Sequence, residues 1–509
     1  MILKYIKKFD IKIISFFLLI FLFNSLPQFY LWDHITDDAY ISFRYTERML
    51  DGKGLTFNDG ERVEGFSNPL WIFIIAISSQ IFQQDISTTA RILGFLFSNI
   101  IFFFIYLIAR KYLDKSKSQI LLIFVFILLF FTPGFHVYST IGLEGPLLSF
   151  LIISASYFSI SKNKNHLRIA ALLVGLVGVC RPEGLLYVLL WLIFTFKFDK
   201  LNILLYLLRI IIALIPSIIY EAFRLYYYGD ILPNTAYAKP SGTYSFLFGI
   251  DDSFLYLIII SLPLTVIIIF YFFRSAKYQN NFFVTISGFL LANFIFLIYA
   301  GGDWMLLGRF ILPIWPIILI AFSYLLLFFL NEISKDSFEF KYLSYLCLIS
   351  IIITQILLFK EQWFEYKSNE NIPNVMKGKD QLDVGEWLNY KVKHNSTVAT
   401  LRLGGISYGA PNLVFYDTFG LTDKEVTDFR RQKNINYDVF QNPVIKRRPN
   451  ILAIINDHGN RILTVETMRG FIDYLEKNYI LKKSFPQGTG VFFEIWVDKN
   501  RIDTILTKP

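Results

Sequence analysis

Two aspartates stand side by side at positions 37 and 38, in the run ITDDAYISFRYTERML. A helix N-terminus favours a carboxylate through its dipole, so capping accounts for one acid. Two adjacent acids repel each other, and a carboxylate pair at the mouth of a cavity is a candidate general base. Arg44 lies a few residues on, and Arg62 and Glu64 sit in GERVEGFSNP, a Gly-containing loop that is not a plain helix. Asn68 and Pro69 lead directly into Trp71, an interfacial anchor. Glu144 in GLEGP, and Arg181 with Glu183 in CRPEG, interrupt apolar runs. Ionisable groups there are costly and face a cavity or one another. A plain Arg181–Glu144 ion pair is the simplest structural account of them. Arg224, Asn234, Tyr237 and Lys239 in FRLYYYGDILPNTAYAK join cations with aromatics, which suits a phosphate and a sugar ring. Snorkelling cations in an aromatic belt would give the same composition. Asp303, Trp304 and Arg309 in GGDWMLLGRF repeat the theme, and of the histidines His136, in TPGFHVYSTIGLEGP, is the one to watch. The inventory holds acids to activate a hydroxyl, cations to bind a phosphate and aromatics to stack on a ring.

The elements that must position these groups are membrane helices. Of 509 residues, 54% are hydrophobic and 17% charged, with 54 Phe, against about 25% charged in a soluble chain. This describes a polytopic α-helical membrane protein and excludes a cytosolic enzyme, a nucleic-acid reader and a disordered chain. Residues 360–509 hold 40 of the 89 charged side chains. The expected organisation is therefore a transmembrane domain at 1–359, with an outer loop at 33–68, followed by a soluble domain at 360–509. The net charge of +9 sits largely in short loops, where it orients helices rather than binding nucleic acid. Cys180 and Cys347 fall inside apolar runs, which leaves no disulfide framework and no cysteine metal site.

After MILKYIKKFDIK, an apolar run to about Trp32 is long enough to span. Further runs cover about 69–83, 89–109, 119–137, 144–160, 168–181, 184–197, 203–222, 254–273, 281–300, 309–330 and 341–359. If 69–83 is re-entrant or interfacial, the basic loops at Arg110, Lys162, Lys197, Arg274 and Lys335 all fall inside, as the positive-inside rule requires. About eleven spans follow, with a cytoplasmic N-terminus and an extracytoplasmic tail. The acids, arginines and asparagines then gather on the outer face. AYISFRYTERML reads as an amphipathic helix on the membrane surface. In the tail, 380–393 reads as a helix. Residues 398–401, 413–417, 451–455 and 490–497 read as strands of an α/β domain.

No Gly-rich nucleotide loop is present, and a nucleotide sugar is not supplied outside a cell. A sugar on a polyprenyl phosphate is. The run DDAYISFRYTERMLDGKGLTFNDGERVEGFSNPLW resembles the first-loop signature of the AftB terminal arabinofuranosyltransferases. The resemblance continues through GLEGP, RPEG, YYGDILPNTAYAK, GGDWMLLGRFILPIWP, YDTFGLTDKEV and RRPNILAII, over nearly the whole chain. It implies a GT-C glycosyltransferase fold, a polyprenyl-phosphate-linked sugar as donor, and an Asp of the first outer loop as base, here Asp37 or Asp38. It also implies that cations such as Arg44, Arg181, Lys239 or Arg309 hold the donor phosphate. Some GT-C relatives bind a divalent metal through an acid-x-acid motif. The acids here are adjacent, which leaves the metal open.

The expected activity is an inverting transfer of arabinofuranose, or another pentose or hexose, to an envelope glycan at the outer face of a bacterial inner membrane. Glu64, Asn68, Glu144, Glu183, Asn234, Tyr237 and Asp303 are expected beside the substrates. The rival readings are a flippase for a lipid-linked sugar, a GT-C transferase acting on protein or lipid A, and a non-catalytic assembly protein. A transporter predicts polar residues near the bilayer midplane and internal repeats, and the sequence has neither.

Overall fold

A computed structural model describes residues 11–161, 163–196, 203–239, 281–300, 305, 307–333, 378–432, 436–464, 467–488 and 490–506. The helices in chain order begin with α1 Ile11–Tyr30, α2 Asp37–Leu50, α3 Pro69–Phe82, α4 Ile86–Tyr112, α5 Lys115–Phe130 and α6 Pro133–Thr140. They continue with α7 Gly145–Ser159, α8 Lys164–Cys180, α9 Gly184–Thr195, α10 Ile203–Tyr228, α11 Asn234–Ala238, α12 Asn281–Ala300 and α13 Trp315–Ile333. The expected runs at 254–273 and 341–359 lie outside the described residues, as do Asp303 and Trp304. The chain forms two compact units. The first comprises Met1–Asp33, Arg91–Ile218 and Tyr244–Glu365, and the second His34–Ala90, Ile219–Thr243 and Tyr366–Pro509.

The first unit is built from apolar helices. Among the described residues, α1, α4, α10 and α12 are long and apolar enough to cross a membrane, and α5 with α6 forms a fifth if the bent pair is one span. Helices α3, α7 and α9 are shorter. The chain is thus multi-pass, and the 69–83 run is a 14-residue helix too short for a full crossing. The run at 119–137 was expected to be one helix and is instead two, bent by 77°. The cause is Pro133, which has no N–H to donate and pushes Thr132 out of the helical region, to φ −110° and ψ 96°. The carbonyls freed at the break are taken up locally. The Thr132 hydroxyl donates to Leu128 O (2.8 Å) and His136 Nε2 to Phe130 O (2.9 Å).

Close approach in this unit depends on small residues. A Cβ on Gly175 would meet the Ala213 carbonyl and Pro216, and one on Gly184 would overlap the Val177 carbonyl. Between α1 and α4 runs an amide ladder. Asn24 donates to Asn99 (3.0 Å), Asn99 to Gln28 (2.9 Å), and Gln28 to Ser98 (3.0 Å).

The second unit carries the α/β fold. After α14 Gly378–Lys391 come β1 Thr397–Thr400, α15 Gly404–Gly409, β2 Val414–Asp417, α16 Lys424–Gln432, β3 Asn436–Asp438 and α17 Pro443–Lys446. There follow β4 Ile451–Asp457, β5 Asn460–Ile462, β6 Thr467–Arg469, α18 Phe471–Asn478, β7 Tyr479–Gly488, β8 Val491–Asp498 and α19 Ile502–Ile505. The main sheet has the order β2-β1-β4-β8-β7, with β5 on β4. β1 pairs in parallel with β2 and β4, and β8 runs antiparallel between β4 and β7. Central β4 is apolar along its buried first four residues, as a strand covered on both faces should be. Leu452, Ile454, Trp496, Val444 and Leu475 anchor the core on one face.

The expected helix and the four expected strands are present within a residue or two. The sequence reading missed β7, the short β3–β6 pair and β5. Helix α2 was expected on the membrane surface. It is instead buried on most of its faces, Arg44 and Phe43 included, and packs against α15, α14 and α3. Of its polar side chains, Asp37 and Arg44 are met by backbone from the tail.

Candidate active site

In the membrane unit, three loops far apart in sequence meet around one cavity. Its lining includes Tyr138, Glu144, Arg181, Glu183, Tyr187 and Arg309, with Ser98, Ser149 and Phe310 between them. Glu144 and Glu183 precede the first turns of α7 and α9, and Arg181 follows α8. The Arg181 guanidinium pairs with both carboxylates, through Nη1 to Glu144 and Nε to Glu183. It also lies 5.5 Å from the Phe310 ring centroid. All three charged side chains are at most 15% exposed. The simple pair anticipated from sequence is therefore a triad, with a net charge of −1. Arg309 lies half-buried over Phe310, 4.7 Å from the ring, with Nη1 2.8 Å from Met305 Sδ. The Tyr187 hydroxyl accepts from Asn293 at 2.8 Å. This gives the cavity a cation, a rigid acidic pair, and hydroxyls of the kind that read a sugar ring.

In the second unit, Asp37 and Asp38 open α2 with different surroundings. Thr36 is the N-cap, so neither acid is. Asp37 is buried and accepts the Gly405 N–H at 2.7 Å. Burial pushes its carboxyl up to about 6, opposed by the Gly405 N–H and the charge of Arg402. Asp38 is half-buried.

Several residues expected beside substrate serve the packing of this unit. Arg44 is 1% exposed. It donates Nε to Phe57 O (3.0 Å), Nη2 to Leu413 O (3.2 Å) and Nη1 to Ser407 O. Its guanidinium sits between the rings of Phe57 and Phe415, 4.8 and 5.1 Å from their centroids. Glu64 accepts from the Tyr220 hydroxyl (2.7 Å) and from Arg224 Nε (2.6 Å) and Nη2 (3.3 Å). Asn68 accepts the Ser42 hydroxyl at 3.0 Å. Asn234 is buried and donates to Gly420 O (2.7 Å) and Leu421 O (2.9 Å), stitching α11 to the loop before α16. Arg62 is exposed over Tyr227, 4.7 Å from the ring. Tyr237 is half-buried under Arg431, and Lys239 is exposed.

Sequence reasoning missed Asn58, Asp417 and the Gly404–Gly405 pair. The Asn58 amide bonds both backbone groups of Phe415, at 2.8 and 3.0 Å, as a partner strand would. Asp417 accepts the Phe419 and Thr422 N–H groups, each at 2.9 Å. A glycine pair following a predicted strand was the visible signal for the third. Among the described residues, no group of three or more His, Cys, Asp or Glu could hold a metal ion, and Asp37 is committed to a backbone amide.

This architecture is that of the GT-C glycosyltransferases. ArnT from Cupriavidus metallidurans, in a structure bound to undecaprenyl phosphate, matches with a TM-score of 0.57 at 10% identity, over 94% of this chain and 97% of that one. The Archaeoglobus fulgidus oligosaccharyltransferase AglB, in complex with an inhibitory peptide and a dolichol-phosphate, matches at 0.53 and 11% identity, over 94% and 74%. Residues 67–220 match the dolichyl-phosphate-mannose-protein mannosyltransferase family, and residues 371–501 a domain of unknown function, DUF8728. More particularly, the chain is similar to one curated relative. It is 27% identical over 232 residues to the terminal β-(1→2)-arabinofuranosyltransferase of Corynebacterium glutamicum, which covers 40% of this chain. The chain spans about a third of the length of that curated relative.

Proposed function

We propose that this protein transfers a sugar from a polyprenyl-phosphate donor to a cell-envelope glycan, at the outer face of a bacterial inner membrane, with inversion at the anomeric carbon. The observation that carries the reading is the convergence of Glu144, Arg181, Glu183 and Arg309 on one cavity of the membrane unit. Undecaprenyl phosphate in the ArnT structure and dolichol-phosphate in the AglB structure support a lipid-linked donor. The Corynebacterium relative supports arabinofuranose as the sugar.

In this reading Arg309 binds the donor phosphate, and the Glu144–Arg181–Glu183 triad fixes the cavity wall and accepts hydroxyls of the sugar. Asp38 takes the proton of the acceptor hydroxyl. That oxygen forms a bond to the anomeric carbon as the bond to the phosphate oxygen breaks, through an oxocarbenium-like state. The polyprenyl phosphate leaves without needing a proton, and a guanidinium stabilises its growing charge.

The test is a transfer assay with the purified full chain and a panel of polyprenyl-phosphate sugars, using envelope glycan as acceptor. Wild type should transfer one of them, and Asp38→Asn should lose turnover while still binding donor. Movement of the lipid-linked sugar between leaflets with no transfer would replace this reading with that of a flippase.

A further inference from the structure

We infer that the two adjacent acids divide their labour: Asp37 is a positioning residue that clamps the start of α2 to the Leu403–Gly405 turn of the α/β tail, so that Asp38 is held for proton transfer. This deepens the proposed function and rests on it for the role of Asp38. The clamp itself rests on geometry.

Asp37 is buried, and its Oδ1 accepts the Gly405 N–H at 2.7 Å. Its main chain is involved as well. A Cβ added to Gly404 would overlap the Asp37 carbonyl oxygen and press on Oδ1. Only glycine permits this approach, because any side chain would push the turn off α2. The contact is reinforced a turn or two further along α2. Arg44 donates to the carbonyls of Ser407 and Leu413, and Tyr40 and Phe43 pack on Tyr408, at 5.3 and 6.0 Å between ring centroids. The first turn of α2 is thereby held by the tail at Asp37, and its middle at Arg44. A carboxylate whose lone pair faces a buried amide is badly placed to receive a proton from a substrate hydroxyl. Its neighbour Asp38 is half-buried, and with Asp37 committed to the tail the proton falls to it. The adjacency that made both acids candidates is therefore a pairing of an anchor with a working group.

The inference separates substitutions that a shared-base mechanism would treat alike. Asn at position 37 keeps an oxygen that accepts the Gly405 N–H, whereas Ala does not. In the full chain, Asp37→Asn should keep transfer within about threefold of wild type. Asp37→Ala and Gly404→Ala should each lower kcat by roughly 100-fold with little change in donor KM, the scale of a misplacement of about 1 Å. Asp38→Asn should be inactive. Hydrogen exchange reads the clamp without turnover. Amides 37–42 and 404–409 should exchange faster in Asp37→Ala and Gly404→Ala but not in Asp37→Asn. An Asp37→Asn variant as inactive as Asp38→Asn, with native exchange, would make Asp37 the proton acceptor and overturn the inference. So would an Asp37→Ala variant with native exchange and native kcat. Activity retained in Asp38→Asn, alongside the predicted exchange pattern, would instead remove Asp38 as the base and leave the clamp standing.

Discussion

Removing the carboxylate of Glu64 should loosen the tail-bearing unit without touching donor chemistry. Glu64 is 2% exposed at its side chain and Arg224 11%, so solvent screens little of the pair. Glu64→Ala leaves a buried guanidinium and a buried tyrosine hydroxyl without their acceptor. Breaking a buried pair from one side costs about 3–5 kcal/mol. Arg224 keeps Glu221 and the Ile231 carbonyl as partners, which places the loss near the lower end, about 3 kcal/mol. For a unit of this size, that lowers the melting temperature by roughly 6–12 °C. The measurement is the temperature midpoint of limited proteolysis of the full chain in detergent, scored on cuts between residues 34 and 90. Glu64→Gln, which keeps one acceptor oxygen, should recover about half of the loss. A Glu64→Ala protein with an unchanged midpoint but abolished acceptor binding would refute the packing argument and return Glu64 to the substrate.

Two further outcomes follow from the geometry. Burial pushes the Asp417 carboxyl up to about 6 from its ordinary value of 3.8, against the opposing N–H groups of Thr422, Gly420 and Phe419. A raised carboxyl favours the protonated folded state, so its contribution grows as pH falls from about 6 to about 4 and is lost as pH rises through 6. Denaturant titrations across that window should show a shallower pH slope in Asp417→Asn than in wild type, and an identical slope would refute the burial account. In the membrane unit, Gly184→Ala sets a methyl group against the Val177 carbonyl. It should cost about 1–3 kcal/mol, read as a lower yield of monodisperse protein and a lower detergent melting point.

The membrane class and the α/β tail were legible because composition and apolar periodicity report them directly. The cavity was legible for a related reason. An arginine or glutamate interrupting an apolar run has few places to go, and Glu144, Arg181, Glu183 and Arg309 all line it. Arg44, Glu64 and Asn234 carry the same chemistry, yet the structure uses them to satisfy backbone carbonyls and a buried arginine. Sequence cannot separate those roles, since the carbonyls met by Arg44 lie 363 and 369 residues away. Strand β7 was hidden by its own composition. LKKSFPQG does not alternate, and Lys and Pro are tolerated because β7 is at the edge of the sheet. The bend at Pro133 was visible as a proline, but the length of the apolar run masked it.

The clasp of Arg44 on Ser407 and Leu413 has a consequence for how the protein is made. At about 5–20 residues per second, the carbonyls that complete α2 are synthesised roughly 20–70 s after Arg44 itself. For that interval Arg44 lacks the Ser407 and Leu413 carbonyls and the Phe415 ring, and Tyr40 and Phe43 lack the Tyr408 ring that packs on them. The first loop is thus a late-folding element carried by an early-inserted segment. A chain cut before residue 404 would strand it unfolded, however well the membrane helices assemble.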